Sequence, residues 1–124
     1  MRLIALLALG GAAGAVLRYA LSGIVQPAGH TFPWGTLTVN LAGAFALGFL
    51  MRYLLGSAVV DSDVRLALTI GFCGSFTTMS TFSYETVSLM QVGAYWRAAG
   101  YAVGSLGGSL VAVVAGGVLG GRLL

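Results

Sequence analysis

The chain has 124 residues; 58% are hydrophobic, 7% are charged, and six arginines against three acids give a net charge of +3. A soluble domain carries roughly 45–50% apolar and about 25% charged residues, so this composition excludes water as the main solvent; arginines scattered singly also exclude the continuous basic face that nucleic-acid binding needs. A bilayer core of about 30 Å is crossed by about 20 apolar residues, so the length accommodates four spans in one transmembrane domain, residues 1–124, with no room for a soluble one.

Charges, prolines and polar clusters act as punctuation and divide the chain into helices over residues 3–25, 35–55, 64–91 and 95–119. The first begins after Met1-Arg2 and carries the small-residue string Gly10-Gly11-Ala12-Ala13-Gly14-Ala15 before Arg18. An apolar run leading to small residues also suits a cleaved secretory signal. The apolar pattern resumes after Arg18, however, so the segment is expected to stay in the protein as its first span. The connection from Gln26 to Trp34 holds both prolines and the only histidine, His30, and reads as a surface loop with Trp34 at the membrane interface.

In the second span Asn40 interrupts an otherwise apolar run. A side-chain amide without partners in hydrocarbon costs several kcal/mol, so Asn40 faces either a neighbouring helix or an aqueous path. Asp61, Ser62 and Asp63 then suit the start of a helix, whose N-terminal dipole favours negative charge.

The third span is the unusual one. From Gly71 to Glu85 it contains two glycines and six serine and threonine hydroxyls, those of Ser75, Thr77, Thr78, Ser80, Thr81 and Ser83. As one rod, residues 64–91 measure on the order of 42 Å at about 1.5 Å per residue, well beyond the apolar thickness. Either the helix breaks near residues 74–78, leaving backbone groups to be satisfied by protein, water or an ion, or an unbroken helix tilts. The lone Cys73 has no partner for a disulfide and reads as a small buried residue. Phe72, Phe76 and Phe82 are ordinary packing residues, although a phenyl edge is positive and tolerates an anion. Glu85 lies deep in the span and either has a functional role or pairs with an arginine such as Arg18.

On the fourth span Tyr101, Ser105 and Ser109 are four residues apart and form one stripe. Their hydroxyls either donate to an anion or bond back to their own helix. Glycines recur at the same spacing, as Gly10 with Gly14, Gly100 with Gly104, Gly104 with Gly108, and Gly116 with Gly120, which lets helices in lipid approach closely. With four spans, Arg2, Arg52, Arg65 and Arg122 fall on one side and Arg18 and Arg97 on the other. This weak bias permits insertion in both orientations, and so an antiparallel homodimer.

These residues resemble the CrcB/Fluc family of fluoride channels. The resemblance is carried by Gly10 to Ala15 leading to Arg18-Tyr19, by Pro33-Trp34-Gly35-Thr36-Leu37-Thr38-Val39-Asn40-Leu41-Ala42-Gly43, and by Gly71-Phe72-Cys73-Gly74-Ser75-Phe76-Thr77-Thr78 followed by Ser80-Thr81-Phe82-Ser83-Tyr84-Glu85. It implies an all-α protein of four transmembrane helices, the third broken near its middle, paired as a dual-topology antiparallel dimer with two pores in a bacterial inner membrane. It further implies a central structural sodium ion held by the backbone carbonyls of Gly74 and Thr77. Asn40 would line the pore and donate to fluoride, Phe82 would present its ring edge, and Tyr101, Ser105 and Ser109 would continue the track. Met79 would also line the pore, standing where many members of the family have phenylalanine, and methionine lacks the ring quadrupole. No role for Glu85 or Arg18 is implied.

Two other classes share the length and composition. A small four-helix drug exporter relies on a glutamate in its first span, which this chain lacks, and a non-transporting structural protein would need only the glycine packing. An enzyme is disfavoured because His30 stands alone in a loop, with no nucleophile and base near it in sequence.

Overall fold

A computed structural model describes all residues, 1–124, and is entirely helical. Helix α1 spans Arg2–Val25 and α2 spans Trp34–Gly56. Helix α3 covers residues 62–76, starting as an α-helix at Ser62–Leu66, widening into π-type turns over Ala67–Cys73 and closing with a last turn at Gly74–Phe76. Thr77 and Thr78 are extended, and α4 (Met79–Gln91) and α5 (Tyr95–Arg122) complete the chain. Three helices, α1, α2 and α5, are long and apolar enough to cross a membrane. Only 20 of the 124 residues are buried within the chain. The remaining apolar surface therefore faces either lipid or another protein, as expected where hydrocarbon replaces water.

Sequence neighbours are not the main packing partners. Helix α1 lies along α3, and α2 lies along α5. Glycines set both contacts. A Cβ at Gly14 would collide with the carbonyl of Phe72 on α3, and one at Gly116 with the carbonyl of Phe45 on α2. Such backbone-to-backbone approach is how membrane helices associate without a hydrophobic driving force. The close-packing reading does not extend to every glycine, because a Cβ at Gly74, Gly100 or Gly104 would meet nothing of this chain within 4 Å.

The element ends follow from local chemistry. Asp61 caps α3 by accepting from the Asp63 N–H at 2.9 Å. This backbone bond holds its carboxyl below the usual carboxylate range, with Arg2 adding to the effect. A depressed carboxylate stabilises the cap above its unfolded value and loses that contribution only as pH falls through the lowered one. Helix α4 ends at a Schellman turn, in which Gly93 takes φ 79° while Ala94 N–H donates to the Leu89 carbonyl at 2.8 Å and Gly93 N–H to that of Met90 at 3.0 Å. That turn folds α4 back against α5, where Leu89, Ala98 and Tyr101 form a small core with Phe32 and Phe82 against it.

Candidate functional site

The unusual chemistry of the chain is concentrated where α3 stops. A helix leaves its last carbonyls without intrahelical donors, and inside a membrane no solvent replaces them. Here Thr77 donates to the Cys73 carbonyl twice, through its N–H at 3.1 Å and its hydroxyl at 3.0 Å. Arg18 Nε donates to the Ser75 carbonyl at 3.0 Å. Thr78 opens α4 as its N-cap, its hydroxyl accepting from the Thr81 N–H at 3.2 Å.

The Thr78 peptide groups themselves are held by α2. Asn40 Nδ2 donates to the Thr78 carbonyl at 3.1 Å, and Asn40 Oδ1 accepts from the Thr78 N–H at 2.8 Å. The amide thus mimics a neighbouring strand and fixes the extended residue to α2. One of the two Nδ2 hydrogens stays uncommitted in this arrangement, because the carbonyl takes only one. By contrast, the carbonyls of Gly74 and Thr77 accept no hydrogen bond from backbone or side chain.

A cleft of about 300 Å³ opens beside this junction. Asn40, Gly74, Thr77, Met79, Phe82, Ser105 and Ser109 all line it, together with Thr69, Cys73 and Thr78. Seven of the residues singled out in the sequence therefore meet on one surface drawn from α2, α3, α4 and α5. Tyr101 sits next to it, its ring 5.1 Å from that of Phe82. The hydroxyls of Tyr101 and Ser105 are buried and have no hydrogen-bond partner. Ser105 does not bond back to its own helix, unlike Thr69, Ser83, Thr86 and Ser88, whose hydroxyls reach the carbonyl four residues earlier. A buried hydroxyl left unpaired costs about 1–3 kcal/mol, and natural proteins retain such groups where something else uses them.

Glu85 and Arg18 lie outside the cleft, and they do not pair with each other. Glu85 Oε1 accepts from the Thr36 hydroxyl at 2.5 Å, whereas Arg18 is engaged with the helix end. The pairing fails because Arg18 points from α1 into α3, while Glu85 points from α4 to the first turn of α2. Glu85 and Thr36 border a wider recess of about 560 Å³, which also reaches Tyr19, Ser22 and Gln26. Thr36 was not singled out in the sequence, although it lies one helical turn before Asn40 and shares its face.

Arg18→Gln removes the charge-assisted bond to the Ser75 carbonyl, whose typical net worth is about 1.5–3 kcal/mol. The expected result is a lower Tm in detergent, with Arg18→Lys falling between the two because an ammonium keeps the charge but loses the planar fork.

A family model described as "CrcB-like protein, Camphor Resistance (CrcB)" matches residues 5–117. The chain belongs to the CrcB family. A relative from Geobacter sulfurreducens, named "Fluoride-specific ion channel FluC", is 46% identical over 117 residues, covering 94% of each chain. A protein of the same name from Chlorobaculum tepidum is 42% identical over 119 residues, covering 96% of this chain and 94% of the relative. One from Geobacter metallireducens is 47% identical over 100 residues, 80% of this chain and 81% of its own. Membership in the CrcB family and the three long apolar helices make this a multi-pass membrane protein.

Proposed function

We propose that this chain is a fluoride-selective channel, not an enzyme, through which fluoride leaves the cytoplasm passively. The observation that carries the reading is the cleft at the α3–α4 junction, where Asn40, Ser105 and Ser109 converge, the Ser105 hydroxyl and that of neighbouring Tyr101 being buried without partners. Fluoride is small, strongly hydrated and a good acceptor, so its dehydration requires substitute donors, and hydroxyl and amide hydrogens supply them. Several moderate donors suit conduction better than one strong cation, because the ion must leave as readily as it enters. The names of the relatives point to the same ion.

Within this reading, residues 62–76 and Met79–Gln91 form a single membrane span interrupted at Thr77 and Thr78. Asn40 offers its free amide hydrogen to the ion, Phe82 turns a ring edge towards it, and Tyr101, Ser105 and Ser109 continue the track along α5. Two copies pair antiparallel in the bacterial inner membrane, giving two pores. The bare faces of Gly74, Gly100 and Gly104 support pairing, since each leaves backbone open to a second protein surface.

A sodium ion at the centre of the dimer fits the residues present. The carbonyls of Gly74 and Thr77 are among those at the junction that accept no hydrogen bond, and hard carbonyl oxygens are what an alkali cation takes in place of water. When bound, the ion supplies a fixed positive charge between the copies. Gly74 and Thr77 hold it, while Asn40 keeps the adjoining Thr78 in register.

The direct test is fluoride efflux from liposomes into a medium read by a fluoride electrode, with chloride as control. Fluoride release without proton coupling supports the channel; proton-coupled exchange of drug cations would favour an exporter, and no flux a structural protein. Met79 borders the cleft but is 64% exposed, whereas Phe82 is packed on Tyr101. Efflux from Met79→Phe is therefore expected to match the parent, while Phe82→Ile abolishes it. Equal loss from both variants would show that the position of Met79 is part of the path.

A further inference from the structure

The connection between α1 and α2 meets the start of α5 around a separate recess of about 370 Å³, bordered by His30, Thr31, Phe32, Trp34 and Arg97. Arg97 donates through Nη1 to the Thr31 hydroxyl at 2.7 Å, and this is its only hydrogen bond. A guanidinium has five N–H donors, so most of them remain free. No carboxylate neutralises it. The ion pairs of the chain join Arg2 to Asp61 and Asp63 at the opposite end of the molecule, and Glu85, across Thr31 in the neighbouring recess, is engaged by Thr36.

Arg97 also occupies the first turn of α5. The helix end already bears partial positive charge, so a cation placed there gains nothing from its own helix and adds to an electropositive spot. His30 borders the same recess. Aromatic side chains also line it, with the rings of Phe32 and Trp34 only 4.5 Å apart. Depth is given by the neighbouring side chains. Tyr95 and Trp96 are 64% and 91% exposed, and Trp34 is 44% exposed, an aromatic belt of the kind that lies at headgroup level.

We propose that this recess binds the phosphodiester of an anionic phospholipid, with the Arg97 fork on its oxygens and His30 as a second donor. An arginine fork matches paired phosphate oxygens in plane and spacing. A zwitterionic lipid brings an ammonium next to the guanidinium, so the site selects headgroups without one. The inference rests on the membrane location of the chain and is independent of what the channel conducts.

The test uses a Trp96→Phe background, in which Trp34 is the sole tryptophan. The protein is placed in phosphatidylcholine nanodiscs, and phosphatidylglycerol with brominated tails is added while Trp34 fluorescence is read. Quenching is expected to saturate at a lower lipid fraction than with brominated phosphatidylcholine. Arg97→Gln should need about fivefold more phosphatidylglycerol, the equivalent of the ~1 kcal/mol that one arginine near an anionic surface is worth. Arg97→Lys should fall between, and unchanged Trp34 emission before lipid is added identifies variants that are folded. Inorganic phosphate at millimolar concentration is expected to leave the quenching unchanged; full relief would assign the site to the free anion and overturn the lipid. Indistinguishable curves for the two lipids, or for parent and Arg97→Gln, would overturn the site itself.

Discussion

Asn40→Ala is expected to reduce fluoride efflux by at least about tenfold and to lower Tm in detergent. The substitution strips both hydrogen bonds from the Thr78 peptide groups, which then have no donor or acceptor within reach. Leaving each unpaired costs about 1–3 kcal/mol, and 1.4 kcal/mol corresponds to a factor of ten in the population of the competent geometry. Asn40→Asp separates the structural role from the conducting one. It keeps the acceptor for the Thr78 N–H and restores part of the Tm, but it replaces the free amide hydrogen by a carboxylate that repels an anion. Efflux from Asn40→Asp should therefore remain as low as from Asn40→Ala, despite the better Tm. If Asn40→Asp conducted like the parent, the amide would be a clamp alone.

The second large effect is expected at Gly116. A Cβ there would collide with the Phe45 carbonyl oxygen and fall 2.9 Å from the Phe49 nitrogen. Those atoms are backbone, so no side chain can turn away and α2 and α5 must separate. Overpacking of this kind typically costs about 1–3 kcal/mol, and the separation also widens the cleft that the two helices share. Gly116→Ala should thus lower Tm and yield, with Gly116→Val worse. Gly23→Ala is the control, because its Cβ meets nothing within 4 Å; alanine is the better helix former by up to about 1 kcal/mol, so Tm should hold or rise. Equal losses from Gly116→Ala and Gly23→Ala would remove the close approach as the cause.

The sequence made the elements legible wherever a single local rule governs them. Apolar runs ended by Arg, Pro and Gly place α1, α2 and α5, because desolvation of charge and loss of backbone donors stop a membrane helix at any tertiary arrangement. The excess length of residues 64–91 likewise pointed to the middle of the third stretch, although Gly74 is itself helical and the extended residues are Thr77 and Thr78. Asn40 stood out as a polar intrusion, but its partner did not, since Thr78 engages it through backbone atoms that any residue possesses. The same limit hid the bond from Arg18 to the Ser75 carbonyl. Thr36 and Glu85 are separated by 49 positions, and only the packing of α4 beside the first turn of α2 brings them together. Glycine spacing marked close approach without saying to what: Gly116 faces α2, whereas Gly100 and Gly104 face nothing in their own chain.

The pairing of α2 with α5, instead of with its neighbours in sequence, has a consequence for biosynthesis. As the nascent chain leaves the ribosome, α2 enters the bilayer well before its main partner has been translated. Until Tyr95 and the residues after it follow, the face around Gly48, which packs on the Val113 backbone, is covered only by lipid tails, which cannot enter it as closely as another backbone does. A message truncated before α5 therefore leaves a chain that inserts but cannot finish packing, a ready substrate for membrane quality-control proteases.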